Sequence, residues 1–410
     1  MSETNKLKIF NDPIYGFITI PNTLIFDIIE HPYFQRLRRI SQMGLSNLVY
    51  PGAHHTRFHH ALGCMHLMQK AVRVLRFKGI KISKSEAQSL YLAILLHDLG
   101  HGPFSHASEK FFLPSISHED LSLAYMKELN NEFKGALTEA ISIFTNTHKR
   151  KFFYQLISGQ LDMDRLDYLK RDSFYTGVVE GSINSDRLIA MLHVKNDELV
   201  IEEKGIYSIE KFLLSRRFMY WQVYLHKTGL LAEQILIRIL QRARELFNTG
   251  IDITASKSLL YFIKERTIQK EQINTHLDMF TSIDDYDVWA AIKEWQDHDD
   301  YVLSNLSKMM VQRKLPRIEL SDHAFSNEYL KEIKDKTRQL SGVDSNNMDY
   351  FIFEGKITNQ AYNTNDGAIK VLLKDGSVKE WLSLDTQFKT SALSKPNTKY
   401  FIAYPKNINL

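Results

Sequence analysis

The fold is decided by residues 95–106, which read LLHDLGHGPFSH. Residues 83–86 (SKSE) form a capping box in sequence, and the apolar residues that follow recur at helical spacing. They predict a helix that ends where Gly100–Pro103 breaks the pattern. An imidazole and a carboxylate, His97 and Asp98, at the end of an apolar helix cost free energy unless they are paired or bind a metal ion. The glycines allow a sharp turn and the close approach of a ligand.

Composition indicates a globular protein. The 410 residues are 44% apolar and 24% charged, which excludes intrinsic disorder. The single cysteine, Cys64, excludes a disulfide framework and a cysteine-based zinc site, and it fits a reducing compartment. No run resembles a signal peptide or approaches the roughly 18 uncharged apolar residues of a membrane span, so we expect a cytoplasmic protein without a membrane partner. The net charge of +4, with both signs interspersed, does not indicate nucleic-acid binding.

Helical periodicity extends to about residue 340, so the predicted fold class is mainly α. Residues 191–203 contain two short runs around Asn196-Asp197 and predict a small β-hairpin. The short aromatic and β-branched runs beyond a loop at 341–347 predict a small α+β C-terminal region. The predicted parts are a core at residues 1–250, a helical extension at 251–344 and a β-rich tail at 345–410.

Several motifs in order resemble the HD-domain metal phosphohydrolases. These motifs are NDPIYG at 11–16, FQRLR at 34–38, PGA at 51–53, RFHHALG at 57–63, HDLGHGPFSH at 97–106, DMDRLDYLKRD at 162–172 and YLHK at 224–227. The resemblance is closer to the deoxynucleoside triphosphate triphosphohydrolases of that superfamily, the group that holds bacterial dGTPase-like enzymes and the vertebrate SAM-and-HD-domain enzyme. It covers residues 8 to about 230, without a SAM domain, and implies that residues 1–250 form an HD phosphohydrolase core.

The family motif H…HD…D falls on His60, His97, Asp98 and Asp164, which the resemblance implies as ligands of one divalent metal ion. Two imidazoles and two carboxylates suit Mn²⁺, Fe²⁺, Zn²⁺ or Ni²⁺, with Mg²⁺ a further candidate on the nucleotide phosphates. Four protein ligands on a six-coordinate ion leave positions for a water and a phosphate oxygen. Otherwise the four groups would have to satisfy one another in an apolar setting. A second His-Asp pair, at 298–299, lies in a polar stretch and is predicted at the surface.

The resemblance places His101 and His118 beside the scissile bond, with Glu109 orienting a histidine. A histidine held by a carboxylate keeps one tautomer and a raised pKa, which suits protonation of a leaving oxygen. Either His118 or His101 is expected to supply that proton. Attack at the α-phosphorus would release a deoxynucleoside and tripolyphosphate.

Further residues match substrate contacts of the family. The matches to phosphate contacts are Arg57, His106, Arg165, Arg216 and Lys227. For the sugar, Gln42 and Asp172 match residues that hold the 3′-hydroxyl, Tyr224 matches a tyrosine against C2′, Tyr168 lines the same pocket, and Met43 lies under the ring. By periodicity alone Tyr224 reads as one more buried aromatic on a long helix, and the adjoining histidine and lysine favour the pocket.

Many family members are oligomers activated by a nucleotide bound between subunits. The residues that match effector contacts are Lys8, Ile9, Glu30, Gln35, Arg38 and Phe58. The resemblance therefore implies a homo-oligomer, a dimer or a tetramer, with a nucleotide effector. The alternative for residues 33–43 is a basic amphipathic helix packed on its own core.

Two other functions stay open from the sequence. The first is an HD-domain phosphohydrolase acting on another nucleotide, either a nucleoside monophosphate or a signalling nucleotide. The second is a nucleic-acid-binding protein with a vestigial metal site, which would need a basic, aromatic-lined groove. The predicted nucleoside contacts favour a dNTP substrate over the first, and the complete set of predicted metal ligands argues against the second.

Overall fold

The computed structural model describes residues 8–264, 268–341, 345–360, 362, 367–384 and 396–407, and in them the chain is mainly α-helical, as predicted. The helices are α1 (Thr23–Glu30), α2 (Pro32–Gln35), α3 (Arg57–Phe77), α4 (Lys84–Leu96), α5 (His106–Phe112), α6 (His118–Glu132), α7 (Thr138–Phe144), α8 (Lys151–Ile157), α9 (Met163–Thr176), α10 (Ser185–Ala190), α11 (Ile206–Met219), α12 (Lys227–Asn248), α13 (Lys257–Lys264), α14 (Ile273–Thr281), α15 (Asp285–Glu294), α16 (Tyr301–Val311) and α17 (Asn327–Ser341). None of these described helices is both long and apolar enough to cross a bilayer.

The strands are short. They are β1 (Ile9–Asp12), β2 (Gly16–Thr19), β3 (Leu192–Lys195), β4 (Glu198–Glu202), β5 (Arg317–Ser321), β6 (Phe353–Asn359), β7 (Lys370–Leu372), β8 (Val378–Glu380) and β9 (Asn397–Tyr404). The predicted hairpin at 191–203 is confirmed as β3 and β4, and its turn residues Asn196 and Asp197 both have positive φ, at 52° and 61°. Asparagine and aspartate tolerate this conformation, which a two-residue hairpin turn requires.

Strands from the C-terminal region pair with earlier parts of the chain. β7 lies parallel to β4 of the hairpin, in a sheet of order β3-β4-β7-β8. β9 lies between β5 and β6, and both of these pairings are antiparallel. The predicted core, extension and tail are therefore connected through shared sheets. The N-terminal hairpin of β1 and β2 and the strand β5 were not predicted.

Three helices form the centre of the fold and position the site described below. α3 packs against both α4 and α9. The capping box predicted for α4 is confirmed, since Ser83 Oγ accepts from Glu86 N at 3.0 Å and Glu86 Oε2 accepts from Ser83 N at 2.7 Å. Asp162 is the N-cap of α9, and its Oδ1 accepts from the backbone N–H of Arg165 at 2.7 Å. These caps fix which residues lie in the last turn of α4 and the first turn of α9.

Helical periodicity predicts one long helix from about residue 207 to 247, and the structure interrupts it. A π-helical turn at Tyr220–Tyr224 follows α11, and α12 begins only after His226, whose Nδ1 accepts from Thr228 N at 3.2 Å. Such π-helical turns are rare and are frequent at functional sites. A second difference concerns Gly100, which was expected to let a ligand approach. A Cβ at Gly100 would lie 2.1 Å from the carbonyl oxygen of His118, so the glycine instead permits the close approach of α6.

Candidate active site

The ends of α3, α4 and α9 bring together the four residues predicted as metal ligands. His60 Nε2 lies 3.0 Å from Asp164 Oδ1 and 3.7 Å from Asp98 Oδ2. His97 Nε2 lies 3.5 Å from Asp164 Oδ1 and 3.4 Å from Asp98 Oδ1. Both imidazoles therefore present Nε2 to the same two carboxylates, in a largely buried space between the helices.

The other ring nitrogen of each histidine is already occupied. His60 Nδ1 lies 2.8 Å from Asp167 Oδ2, and His97 Nδ1 lies 2.7 Å from the carbonyl oxygen of Ile94. Because both partners are acceptors, each Nδ1 carries the proton and each Nε2 presents a lone pair, the arrangement that metal-binding histidines adopt. The buried Nε2 of His97 makes no hydrogen bond among the described residues. The side chains therefore fit a divalent ion that two imidazoles and two carboxylates would hold.

A buried chain of ion pairs extends from His60 to the N-terminal hairpin. Asp167 accepts from Arg171 through both oxygens, at 2.8 and 3.0 Å, and Arg171 Nη1 donates to Asp12 Oδ2 at 2.8 Å. Gly63 leaves space for the ion pair of Asp167 and Arg171, since a Cβ at position 63 would lie 2.0 Å from Asp167 Oδ1 and 2.3 Å from Arg171 Nη2. This explains the glycine of the RFHHALG motif. Arg171 and Asp12 were not predicted as functional, because they lie 159 positions apart.

Replacing Arg171 by Ala should lower the free energy of unfolding by about 3–5 kcal/mol, because Asp167 and Asp12 would keep buried, unpaired charges. Urea denaturation in the presence of a chelator measures this without a contribution from bound metal. The matched control is Lys336→Ala, which breaks an exposed pair with Glu332 one helical turn away, worth about 0.3–0.5 kcal/mol. Equal losses in the two variants would show that the buried chain contributes no more than a surface pair.

Cys64 lies beside this cluster and was not predicted to be there. Its Sγ is 3.5 Å from both ring nitrogens of His60, and it could join His60, His97 and Asp164 around an ion. Burial raises the pKa of the Cys64 thiol well above its usual value, which disfavours the thiolate that a metal ligand would have to become. The available signal was the spacing of four residues from His60 on one helix, which places two side chains on one face.

Asp98 connects the cluster to two stacked histidines. It accepts from Arg57 Nη1 through Oδ2, and its Oδ1 lies 3.5 Å from His101 Nε2. The rings of His101 and His118 stack at 4.0 Å with an angle of 17°. Glu109 Oε1 lies 3.1 Å from His118 Nδ1 and accepts from the backbone N–H of His118 at 2.9 Å. Glu109 is thus long enough to orient His118.

The two stacked histidines differ in proton affinity. Burial by itself lowers the pKa of His118. The hydrogen bond to Glu109 and the nearby carboxylate of Asp98 raise this pKa by more than burial lowers it, so the net shift is upward. Burial and the Arg57 guanidinium hold the pKa of His101 well below its usual range. Of the pair, His118 is therefore the stronger base and the better candidate to carry a proton.

The loop after His101 is held in a strained conformation. Phe104 and Ser105 have positive φ values of 54° and 56°, which non-glycine residues rarely adopt. The carboxylate of Asp285, in the first turn of α15, accepts from the backbone N–H of Phe104 and of Ser41, each at 2.8 Å. Ser105 Oγ accepts from Arg57 Nε at 2.9 Å. Asp285 was not predicted, since it lies 181 positions from the loop that it holds.

The predicted sugar contacts lie around one carboxylate. Asp172 Oδ1 is 2.7 Å from His55 Nε2, and Asp172 Oδ2 accepts from the Tyr224 hydroxyl at 2.8 Å. The ring of Tyr168 meets Tyr224 edge-on at 6.0 Å. Gln42 lies beside His55, because the backbone N–H of Gln42 donates to the carbonyl oxygen of His55 at 3.0 Å. The buried Oε1 of Gln42 makes no hydrogen bond among the described residues, and the next residue, Met43, is buried.

The predicted phosphate contacts do not all lie in one place. Arg165 and Arg216 each donate through Nη1 to the same oxygen, Oε1 of Gln160, at 3.4 and 3.3 Å. Arg57 is paired with Asp98, as described above. Lys227 is exposed and lines a different cavity, together with Arg313 and Arg317. The side chain of His106, also predicted here, lies outside the described part of the chain.

The predicted effector contacts lie near the N-terminal hairpin, and three of them touch. The Arg38 guanidinium stacks 3.6 Å from the centre of the Phe58 ring, and Arg38 Nε donates to Gln35 Oε1 at 2.8 Å. The Lys8 ammonium lies 4.2 Å from the Phe26 ring. Two further members of the set are exposed, Ile9 on β1 and Glu30 at the end of α1.

Comparison with known proteins gives matches over the whole chain. An HD domain matches residues 57–172 and an HD associated region matches residues 183–257. An uncharacterised protein of Bacillus subtilis, YwfO, is 33% identical over 98% of this chain and 93% of its own length. A phosphohydrolase structure from Bacteroides thetaiotaomicron superposes with a TM-score of 0.94 at 47% identity, over 98% of this chain and all of that one.

Relatives whose names state a deoxynucleoside triphosphate triphosphohydrolase activity match a shorter part of the chain. The deoxynucleoside triphosphate triphosphohydrolase SAMHD1 homolog of Dictyostelium discoideum is 31% identical over 56% of this chain. That match spans 48% of the Dictyostelium protein, about half of its length. SAMHD1 of Bos taurus is 27% identical over 75% of this chain and 60% of its own length.

Proposed function

Because the chain belongs to the HD-domain family, we propose that it is a metal-dependent hydrolase that converts deoxynucleoside triphosphates to deoxynucleosides and tripolyphosphate. The observation that carries this proposal is the pairing of two kinds of group in one site. Four side chains of metal-ligand type converge from α3, α4 and α9, and a histidine held by Glu109 lies against them through His101 and Asp98.

His60, His97, Asp98 and Asp164 would hold the ion. A bound divalent ion would lower the pKa of a coordinated water and polarise a phosphoryl group. The chain itself orients the ligands: Asp167 and the Ile94 carbonyl fix the two imidazoles, and Arg57 fixes Asp98. Loss of such supporting partners typically costs about 10–100-fold in metal affinity.

His118 would supply the proton of the reaction. Water adds to the α-phosphorus and releases one proton to solvent, the bond from that phosphorus to the 5′ oxygen breaks, and the proton of His118 goes to the departing 5′ oxygen. Glu109 supports this role because it holds Nδ1, which leaves Nε2 of the imidazolium to donate. His101, whose pKa is depressed, would contact the substrate as a neutral imidazole.

Arg165, Arg216 and Arg57 would bind the triphosphate. Each presents a guanidinium, which pairs with phosphate oxygens through two hydrogen bonds. Arg165 and Arg216 meet at the neutral amide of Gln160. Arg165 Nε also lies 3.3 Å from Asp162 Oδ2, so a bound triphosphate would share Arg165 with that carboxylate. His106 and Lys227 stay as predicted phosphate contacts.

Gln42, Asp172, Tyr224, Tyr168 and Met43 would form the deoxyribose pocket. Asp172 and the free carbonyl oxygen of Gln42 can bind the 3′-hydroxyl, while Tyr224 occupies the space that a 2′-hydroxyl would need. The hydrogen bond from Tyr224 to Asp172 holds the tyrosine ring in place. Lys8, Ile9, Glu30, Gln35, Arg38 and Phe58 would bind a nucleotide effector between subunits of a homo-oligomer, as the resemblance implies.

We expect dGTP to be cleaved and GTP to be essentially inert. A buried hydroxyl without a partner costs about 1–3 kcal/mol before any steric clash is counted. Tyr224→Ala should narrow the difference in kcat/KM between the two nucleotides, whereas the exposed Tyr207→Ala should leave it unchanged. Gln42→Ala should weaken the binding of all deoxynucleotides to the same extent. Equal kcat/KM for dGTP and GTP in the unmodified protein would remove the deoxyribose pocket from the proposal.

The experiment that tests the proposal resolves the products. The metal-replete protein is incubated with each of the four dNTPs, singly and mixed, and nucleoside, tripolyphosphate and pyrophosphate are separated. Deoxynucleoside and tripolyphosphate in equal amounts support the proposal. Pyrophosphate with a nucleoside monophosphate would show that a different bond is cleaved, and no turnover of any dNTP would favour an HD-domain phosphohydrolase with another nucleotide substrate.

A further inference from the structure

A second cavity, of about 490 Å³, lies between the HD core and the C-terminal strand β7. Its walls are the loop at 146–151, α8 and the residues after it up to Leu161, strand β4, and residues 367–370. We propose that this α8 cavity binds a nucleoside monophosphate and that the bound nucleotide changes the affinity of the catalytic site for its substrate. The volume lies within the range of about 300–1,000 Å³ typical of small-molecule sites.

The charge of the lining favours an anion. Its titratable lining residues include Lys149, Lys151, Lys370 and His148, and no aspartate or glutamate among the described residues lines it. Lys370 is paired with Glu198, and His148 lies 3.5 Å from Glu139. The side chains of Lys149 and Lys151 are exposed and form no ion pair within the described ranges. The carboxylate of Asp197 is also at this turn, where it accepts from the backbone N–H of Lys151 at 2.7 Å and lies 3.8 Å from Arg150 Nε. It engages neither lysine ammonium, so both ammonium groups are available to a phosphate.

The opposite wall favours a flat apolar group. Leu161, Val200, Ile201 and Ile369 are buried side chains that line the cavity, and the half-buried ring of Tyr154 adds an aromatic surface. A lone phosphate or a metal ion would leave this apolar surface unused. A nucleoside monophosphate matches both walls, with its phosphate at the lysines and its base against Tyr154 and the apolar side chains.

Gln160 connects the α8 cavity to the candidate active site. It lines the cavity, its side chain is buried, and its Oε1 accepts from both Arg165 and Arg216. A ligand that moves this amide would therefore move both guanidiniums proposed to bind the substrate triphosphate. This coupling rests on the proposed function, whereas the existence of the site does not.

Isothermal titration of the full-length, metal-loaded protein with AMP, GMP, CMP and UMP tests the site. At least one of them should bind, and Lys149→Glu/Lys151→Glu should weaken that binding about tenfold or more, since two charge-assisted contacts are lost. The matched control is Lys127→Glu/Lys211→Glu, which changes two exposed lysines that do not line the cavity. This variant should bind the nucleotide as the parent protein does. Lys149→Ala/Lys151→Ala should show a smaller loss in the same direction.

Two results would overturn the site: no binding of any of the four at millimolar concentration, or equal binding by the parent and both lysine variants of the cavity. The coupling is measured as the KM for dGTP with and without the bound nucleotide, which should change in the parent and not in Lys149→Glu/Lys151→Glu. A nucleotide that binds the parent and leaves KM unchanged would overturn the coupling. If the protein cleaves no dNTP, the proposed function fails and the titration still decides the site.

Discussion

Replacing His97 by Ala is expected to remove the bound metal ion and turnover together. His97 presents a buried Nε2 that makes no hydrogen bond with the described part of the chain, and its Nδ1 is fixed on the carbonyl oxygen of Ile94. Mass-spectrometric measurement of metal content, together with release of tripolyphosphate from dGTP, gives both quantities on one preparation.

Two variants serve as controls for the metal prediction. Cys64→Ala removes the thiol beside His60 and should keep the metal and most activity, because the raised pKa of Cys64 disfavours the thiolate. His298→Ala changes the other His-Asp pair, whose imidazole accepts from the backbone N–H of Asp300 at 2.9 Å, and should alter neither quantity. A His97→Ala protein with stoichiometric metal and near-normal turnover would show that the ion binds elsewhere.

His118→Ala should keep the metal and bind substrate but lose about 10²–10⁴-fold in kcat, the usual effect of removing a positioned general acid. The structure favours His118 over His101 because Glu109 holds its Nδ1 and raises its pKa. Single-turnover kinetics with dGTP measure the chemical step, and the KM reports binding. A His101→Ala protein with the larger loss in kcat and an unaffected His118→Ala protein would reverse the assignment.

Glu109→Gln is the matched control for this assignment, because it removes the charge of the carboxylate and keeps the length of the side chain. An acid must be protonated to act, so activity that depends on His118 falls as the pH rises through the pKa of His118. The carboxylate of Glu109 raises that pKa. The alkaline limb of the kcat profile should therefore move to lower pH in Glu109→Gln and stay in place in Glu180→Gln, whose glutamate is exposed.

The sequence was informative where the physical cause is local. The capping box at Ser83 and Glu86 depends on residues three positions apart, and the turn at Asn196-Asp197 depends on the φ preference of two residues. Both were confirmed. The family motifs also named His60, His97, Asp98 and Asp164, which the structure brings within contact of one another. Their role as ligands stays a prediction.

The same local patterns failed where neighbours in space decide the outcome. Periodicity continued through Tyr220–Tyr224, yet the chain forms a π-helical turn there, and Tyr224 meets Asp172. Gly100 was interpreted as space for a ligand and proved to be space for the backbone of α6. Strand β7 is only three residues long and acquires its place by pairing with β4, far away in the sequence.

The sequence by itself determined a mainly α-helical chain, the capping box of α4 and the residue types of the site, because propensity, capping and periodicity act over a few neighbouring residues. Only the tertiary structure decided which atoms work together. It placed Asp167 and Arg171 against Gly63, connected Arg171 to Asp12, and set Asp285 against the loop at Phe104. These contacts join distant positions, and their strength comes from burial, which no single segment of the chain produces alone.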